Sequence, residues 1–124
     1  MSDKPQVILP EEDQTRRFVQ LIIDGEDYFR VGDSPRDIHA QILGRTLREE
    51  FEIPFELKKV GIIDSIPERK GERYEAIGMG LVSFCSQSIL IGSMKSVDYD
   101  IGPNREQIER FRQRGLITQE VKFL

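Results

Sequence analysis

Residues 33–51 constrain the fold more than any other part of the sequence, because they combine a helix start signal with a helical pattern of apolar residues. Ser34 is a favourable N-cap, Pro35 suits the first helical position, and Asp37 completes a capping box of the S-x-x-D type. At about 100° per residue, one half of the cylinder carries Ile38, Ile42, Leu43, Thr46, Leu47 and Phe51. The other half carries Asp37, Gln41, Gly44, Arg45, Arg48 and Glu49. The sequence therefore predicts one amphipathic helix over residues 35–51.

A β-hairpin is predicted just before this helix. Residues 16–23 and 26–31 are rich in β-branched and aromatic side chains, and Asp24-Gly25 between them is a strong two-residue turn signal. Counting back from that loop along an antiparallel pair places Arg17 opposite Gly32. Gly32 lies two residues before the predicted N-cap, so Arg17 is expected beside the start of the helix.

The remaining turn and cap signals predict five further elements. They are strands over residues 56–64, 72–84, 89–97 and 118–124 and a second helix over residues 104–114, with a bulge near Gly78 and Gly80. Residues 1–15 are predicted to form a flexible polar arm with at most a short extended piece at residues 6–9. The order ββαβ–ββαβ predicts a single α+β domain over residues 16–124, in which two helices cover one face of a mixed six- to seven-stranded sheet.

The composition excludes several classes of function. The formal net charge is −4 over 124 residues, and the sequence contains no basic stripe of the kind that nucleic-acid-binding surfaces carry. No apolar run is long enough to span a membrane, and the first residues lack the layout of a signal peptide. Cys85 is the single cysteine, which rules out an internal disulfide and a multi-cysteine zinc site. We therefore expect a cytoplasmic protein that binds neither nucleic acid nor membrane.

His39, the only histidine, is the strongest candidate functional residue. It falls on the apolar half of the predicted helix in an early turn, where backbone N–H groups lack partners. With Arg17 beside it, a guanidinium, helix-end amides and an imidazole would converge, and these are the components of an oxyanion or phosphate site. The alternative is that Arg17 is a solvated charge at a strand end and His39 a hydrogen-bonded core residue. Asp64, Asp98 and Asp100 match no metal-binding loop, so they are interpreted as turn and strand-end acids, and no metal or other cofactor is expected.

Several of these residues resemble motifs of the Janus/Ocnus family, which includes the small phosphohistidine phosphatase. Arg17-Phe18-Val19 is similar to that family's basic-aromatic-Val strand start. Residues 37–42, Asp-Ile-His-Ala-Gln-Ile, are similar to the acidic-aromatic-His-Ala-x-Ile segment that opens its main helix, with isoleucine in place of the aromatic residue. The final helix and strand, from Glu106 to Val121, follow the same order of elements. The chain looks like a distant bacterial branch of the family, similar to small cyanobacterial proteins with this fold.

The resemblance implies roles for individual residues. His39 would be the catalytic base or nucleophile, Arg17 would bind phosphate, and the amides of His39 and Ala40 would hold the phosphate oxygens. The family also uses a serine in a Gly-aromatic-Ser-Met strand, for which Ser93 in the stretch IGSMKS is the better match. An alternative register places Gly78-Met79-Gly80 there instead and loses the serine.

Two functions remain open on the sequence alone. One is metal-independent phosphoramidate hydrolysis of the phosphohistidine type, with a phosphate-bearing peptide or a small anion as the substrate. The other is a non-enzymatic protein-interaction module with the same fold, or a homodimer that forms through a strand edge such as residues 89–97. Both functions share the fold, so only the site can distinguish them.

Overall fold

The computed structural model describes residues 4–9, 13–62, 64–85 and 87–124. Within these ranges the chain forms seven strands and two α-helices. In chain order they are β1 (Thr15–Ile23), β2 (Glu26–Val31), α1 (His39–Arg45), β3 (Leu57–Val60), β4 (Asp64–Pro67), β5 (Tyr74–Cys85), β6 (Ser88–Ile91), α2 (Arg105–Gln113) and β7 (Glu120–Phe123). A π-helical segment, Thr46–Glu50, continues α1. No helix in the described ranges has the length and apolarity that a membrane crossing requires.

Five of the strands form one mixed sheet in the order β2-β1-β5-β6-β7, and β3 and β4 form a separate hairpin. Neighbouring strands of the large sheet are antiparallel except for β6 and β7, which run parallel. The predicted α+β class, with a mixed sheet and two helices, is confirmed, although its seven strands divide between two sheets. The single strand predicted over residues 56–64 instead folds back at Gly61, whose φ of +69° is typical of a glycine turn. Ile63 in that segment lies outside the described residues.

The two helices lie on opposite faces of the sheet. Alternate residues of β1 point to opposite sides: Val19 and Leu21 belong to the core that includes α1, whereas Phe18 belongs to the core that includes α2. The prediction that both helices cover one face is therefore wrong. α2 connects the parallel strands β6 and β7, and the handedness of such a crossover decides the face on which its helix packs. The sequence does not reveal that these strands are parallel neighbours, so it does not predict that face.

The hairpin that positions Arg17 has the predicted register. Asp24 and Gly25 both have positive φ, 49° and 83°, as a two-residue type I′ turn requires. At the far end of the hairpin, the amide of Gly32 donates to the carbonyl of Arg17 over 3.0 Å. Arg17 consequently lies level with the start of the connection that leads into α1.

The first helix begins at His39, later than the capping motif predicts. Its N-cap is Ile38, whose amide donates to the side chain of Gln41 over 3.0 Å. The side chains of Ser34 and Asp37 instead accept from backbone amides within a turn ahead of the helix, over 3.2 and 2.6 Å. The predicted helix start is therefore wrong, because the same side-chain hydrogen bonds that cap a helix also close a turn.

The predicted apolar half of α1 packs against β1 and the rest of the core. Leu43 and Leu47 are fully buried, as predicted, whereas Ile38 at the N-cap stays 42% exposed. Gly44, which the periodicity assigns to the polar half, is buried. A Cβ added to it would lie 3.4 Å from Pro67 of β4. The β3–β4 hairpin therefore covers a part of the helix that the sequence assigns to solvent.

Residues 4–9 lie along the outer edge of β2. Val7 forms a parallel bridge with Phe29. Arg30, only 4% exposed, donates to two backbone carbonyls of this segment and forms an ion pair of 2.6 Å with Glu50. The extended piece predicted at residues 6–9 is thus paired with the sheet. Residues 1–3 and 10–12 of the predicted arm lie outside the described ranges.

β6 is an inner strand of the sheet. The strand predicted over residues 89–97 ends at Ile91, and β5 and β7 flank it on both sides. A homodimer through this edge is therefore not possible in the predicted form, because the backbone groups of β6 already pair within the chain. The edge strand at this side of the sheet is β7.

Candidate functional site

His39 is the first residue of α1, and its ring reaches across to β5. Ring atom Nε2 lies 3.0 Å from the carbonyl oxygen of Gly80, and the side chain is half-buried. A carbonyl oxygen can only accept a hydrogen bond, so Nε2 carries a proton in this contact. Nδ1 has no hydrogen-bond partner among the described residues. In the neutral ring, Nδ1 therefore has a free lone pair.

The surroundings of His39 keep its ring neutral. Burial is the largest influence and lowers the pKa of His39 from its ordinary value of 6.5. The hydrogen bond to Gly80 and the carboxylate of Asp98 raise this pKa, the charge of Arg17 lowers it, and the net shift is downward. At neutral pH the ring is therefore mostly in its neutral form, and Nδ1 can accept a proton or attack an electrophile.

Arg17 connects β1 to the turn that precedes α1. Its Nη1 donates to the carbonyls of Pro35 and Asp37, both over 3.2 Å. These two carbonyls accept hydrogen bonds from the guanidinium and not from the amides of a following helical turn. This agrees with a helix that begins only after them. Nε and Nη2 have no protein acceptor within the described ranges, so the guanidinium retains donors for an anion. The structure thus brings Arg17 close enough to His39 for its charge to act on the ring.

The first amides of α1 are further donors beside the ring. The amides of Gln41 and Ile42 donate to the carbonyl of Ile38 over 3.0 and 3.1 Å. The amides of His39 and Ala40 come earlier in the turn and have no acceptor among the residues that the structure describes. Unpaired amides are normal at a helix start, so they do not by themselves establish a site. They do leave two donors next to the imidazole.

Gly80, rather than Ser93, contacts His39. The amide of Gly92 donates to the carbonyl of Leu81 over 2.9 Å, which continues the β5–β6 pairing by one residue. Ser93 follows and leaves the sheet level with Gly80, but its side chain is exposed. No hydrogen bond joins the Ser93 hydroxyl to any described part of the chain. Of the two registers that the sequence leaves open, the one with Gly80 agrees with the observed contact.

Gly78 and Gly80 also let the sheet approach neighbouring groups closely. A Cβ added to Gly78 would lie 2.8 Å from the amide nitrogen of Asn104, and one added to Gly80 would lie 3.0 Å from the ring of Phe18. The β1–β5 register shifts beside Gly78, next to Gln20. The bulge that the sequence predicts here is therefore present, and β5 also packs closely against its neighbours. Gly80 additionally supplies the acceptor for His39.

Asp98, which the sequence suggests is only a turn acid, lies close enough to His39 for its charge to act on the ring. It belongs to the connection between β6 and α2, where its backbone carbonyl accepts from Lys58 over 3.4 Å. Its carboxylate raises the pKa of His39, so the two side chains interact electrostatically. No local pattern links two residues so far apart in the chain, and only the tertiary structure reveals the proximity.

Two cavities of similar size lie away from this site. One of about 340 Å³ is lined by Ile53, Pro54, Phe55, Glu56, Glu68, Lys70, Gly71, Glu72 and Arg73. Another of about 350 Å³ is lined by Ile8, Arg30, Val31, Asp33, Ile42, Arg45, Thr46, Glu49 and Glu50. Neither includes His39 or Arg17, so a substrate at His39 would bind outside both cavities.

The chain matches no protein-family model, and no curated protein sequence is significantly similar to it. The Janus/Ocnus resemblance therefore rests on the quoted motifs alone. The arrangement of His39, Gly80 and Arg17 is the firmer basis for an inference about function.

Proposed function

We propose that the protein is a metal-independent phosphatase that hydrolyses phosphoramidate bonds, such as that of phosphohistidine, with His39 as the reacting group. The main support for this proposal is the state of the imidazole. Nε2 is hydrogen-bonded to the carbonyl of Gly80, burial lowers the pKa of His39 below 6.5, and Nδ1 has a free lone pair. The expected substrate is a phosphate-bearing peptide or a small phosphoramidate. The resemblance to the Janus/Ocnus family supports the same reaction class.

The reaction can proceed by two routes that both use neutral His39. In the first, Nδ1 attacks phosphorus, a new P–N bond forms, and the bond to the substrate nitrogen breaks as that nitrogen takes a proton from water. Water then attacks this phosphoryl group, the P–Nδ1 bond breaks, and inorganic phosphate and neutral His39 are released. In the second, Nδ1 takes a proton from water, and the hydroxide so formed attacks phosphorus directly. The P–N bond of the substrate then breaks, and its nitrogen takes the proton back from Nδ1, which restores neutral His39. Labelling with ³²P-phosphoramidate distinguishes the routes, because only the first leaves a label on the protein.

Arg17 would stabilise the negative charge of the phosphoryl oxygens. Its unpaired Nε and Nη2 donors can form charge-assisted hydrogen bonds, which are about twice as strong as neutral ones. The amides of His39 and Ala40 would supply further donors as charge develops in the transition state. Because Nη1 is tied to two backbone carbonyls, the guanidinium is already oriented before an anion binds.

The direct test measures phosphate release from phosphohistidine and phosphoramidate in the presence of EDTA. The matched variant is His39→Gln, because the glutamine amide can still donate to Gly80 but has no basic nitrogen. The proposal predicts turnover by the wild type and a loss of about 100-fold or more in the variant. Circular dichroism and thermal melting should show that both proteins are folded to the same extent.

Arg17→Ala tests the anion-binding role. We expect KM to rise by about tenfold with a smaller change in kcat, because a ground-state contact to phosphate is lost. Arg16→Ala is the control, since Arg16 is the adjacent basic residue of β1 and points to the other face of the sheet. Ser93→Ala should change either constant by no more than about twofold, because the hydroxyl is exposed and free of contacts to the site.

The non-enzymatic alternative makes a different set of predictions. A binding module would show phosphate-dependent NMR shifts at the amides of Ile38, His39 and Ala40, weakened by salt, but no turnover. His39→Gln would then be indistinguishable from wild type in the hydrolysis assay. That combination of results would replace the phosphatase proposal with an anion-binding function.

A further inference from the structure

β7 presents an open edge of the main sheet. The amide of Leu124 donates to the carbonyl of Ile91 in β6 over 2.8 Å. Backbone groups alternate in direction along a strand, so those of Lys122 also face β6, and those of Val121 and Phe123 face away from it. None of the described residues pairs with this outer side. Two residues with outward-facing N–H and C=O groups therefore form a template for another strand.

The opposite edge of the same sheet is covered. There, Val7 bridges to Phe29 of β2, and the amide of Phe29 donates to the carbonyl of Gln6 over 2.8 Å. The buried side chain of Arg30 holds the same segment in place. The chain thus protects one edge with its own residues and leaves β7 unprotected within the described ranges.

The charges on β7 indicate what could cover it. Glu120 and Lys122 are both exposed, and their charged groups lie 3.8 Å apart on the same side of the strand. A two-fold axis through Val121 would pair two β7 strands in antiparallel fashion, with each Glu120 opposite the Lys122 of the other copy. The strand is therefore complementary to itself in charge. A like-charged pair at these positions would instead repel a second copy.

We propose that a second copy of this chain pairs with β7, so that two sheets join into one across a two-fold axis at Val121. The direction of the backbone groups fits this register, because the outward N–H and C=O of Val121 would exchange two hydrogen bonds with those of the other Val121. Phe123 would face Gln119 of the second copy and extend the pairing. β7 has four residues, so the interface is small and the dimer should depend on protein concentration. This proposal is independent of the phosphatase activity.

The experiment is sedimentation analysis of the whole chain over about 10 μM to 1 mM, a range suited to weak self-association. We expect a reversible monomer–dimer equilibrium for the wild type. Glu120→Lys and Lys122→Glu should each weaken the dimer by about tenfold or more, because both cross-strand pairs become like-charged. An equimolar mixture of the two variants should form a heterodimer, since its pairs are again opposite in charge. The double variant with both substitutions should form a homodimer for the same reason.

Two further variants separate pairing from unrelated effects. Val121→Pro removes an outward N–H without disturbing the bonds to β6, so it should yield a folded monomer. Lys59→Glu, at an exposed position of β3, makes the same charge change away from β7 and should leave the dimer intact. A wild type that remains monomeric up to 1 mM would overturn the proposal, as would a mixture of the two charge variants that associates no better than either alone.

Discussion

Gly78→Ala should destabilise the fold strongly, although the change adds one methyl group. The new Cβ would lie 2.8 Å from the amide nitrogen of Asn104 and closer still to the side-chain oxygen of Gln20. Gln20 is fully buried and exchanges two hydrogen bonds with the backbone of Asn104, of 2.7 and 2.8 Å. The methyl group must displace one of these partners. Asn104 is also the N-cap of α2 and accepts from the amide of Gln107, so the displacement would loosen that cap as well.

The expected cost follows from these contacts. Overpacking costs about 1–3 kcal/mol, and leaving a buried amide without its partners costs about 1–3 kcal/mol more. The lower backbone entropy of alanine in the unfolded chain returns about 0.5–1 kcal/mol. We therefore expect Gly78→Ala to lower the free energy of unfolding by about 2–4 kcal/mol, measured by urea denaturation with a constant slope.

Gly92→Ala is the matched control for this prediction. A Cβ added to Gly92 would meet its nearest atoms, in Leu81, at 3.8 and 3.9 Å, which is ordinary contact. Its free energy of unfolding should stay within about 0.5 kcal/mol of wild type. Equal effects of the two substitutions would show that the close approach of β5 to Asn104 does not contribute to stability as described.

Three further predictions follow from the packing and charges. Leu43→Ala and Leu47→Ala, both at fully buried positions, should each cost about 2–5 kcal/mol in chemical denaturation, whereas Arg45→Ala should cost about 1 kcal/mol or less because its ion pairs are partly exposed. Arg30→Leu should cost about 2–4 kcal/mol and, since it removes the donors to residues 4–9, should make that segment sensitive to limited proteolysis. Because the pKa of His39 is lowered from 6.5, the unfolded chain binds more protons just below pH 6.5. The free energy of unfolding should therefore fall as the pH drops from 6.5 through the folded pKa, and this dependence should be absent in His39→Gln.

The sequence predicts the elements whose signals are local. Asp24 and Gly25 impose a two-residue turn, and counting from that turn places Arg17 correctly opposite Gly32. Asn104 caps α2 as its spacing to Gln107 predicts. In each case a few neighbouring residues determine the backbone, so no knowledge of distant contacts is needed.

The parts that the sequence does not predict depend on contacts between distant residues. The capping motif at Ser34 closes a turn, and Arg17 binds the carbonyls of that turn, so the helix starts only at His39. The β3–β4 hairpin covers Gly44, which the periodicity of the helix assigns to solvent. Likewise, the face on which α2 packs depends on the parallel pairing of β6 with β7.

The candidate site likewise contains residues that the sequence predicts and residues that it does not. His39 and Arg17 can be predicted because one is the only histidine and the other is located by the hairpin register. The sequence leaves two registers open, one with Ser93 and one with Gly78-Met79-Gly80, and neither predicts that the Gly80 carbonyl contacts His39, since a backbone acceptor has no side-chain signature in the sequence. Asp98 could not be predicted near His39, because the long connection after β6 brings it there through tertiary folding.

Whether neutral His39 performs the chemistry can be decided by comparing two pKa values of the same protein. One is the pKa of His39 measured by NMR titration of its ring protons, and the other is the pKa in the pH dependence of kcat/KM for phosphoramidate hydrolysis. If neutral His39 is the reacting group, both pKa values lie below 6.5 and coincide, and activity falls as His39 becomes protonated. Turnover that is unchanged while the NMR signal of His39 titrates, or no turnover at any pH, would contradict it.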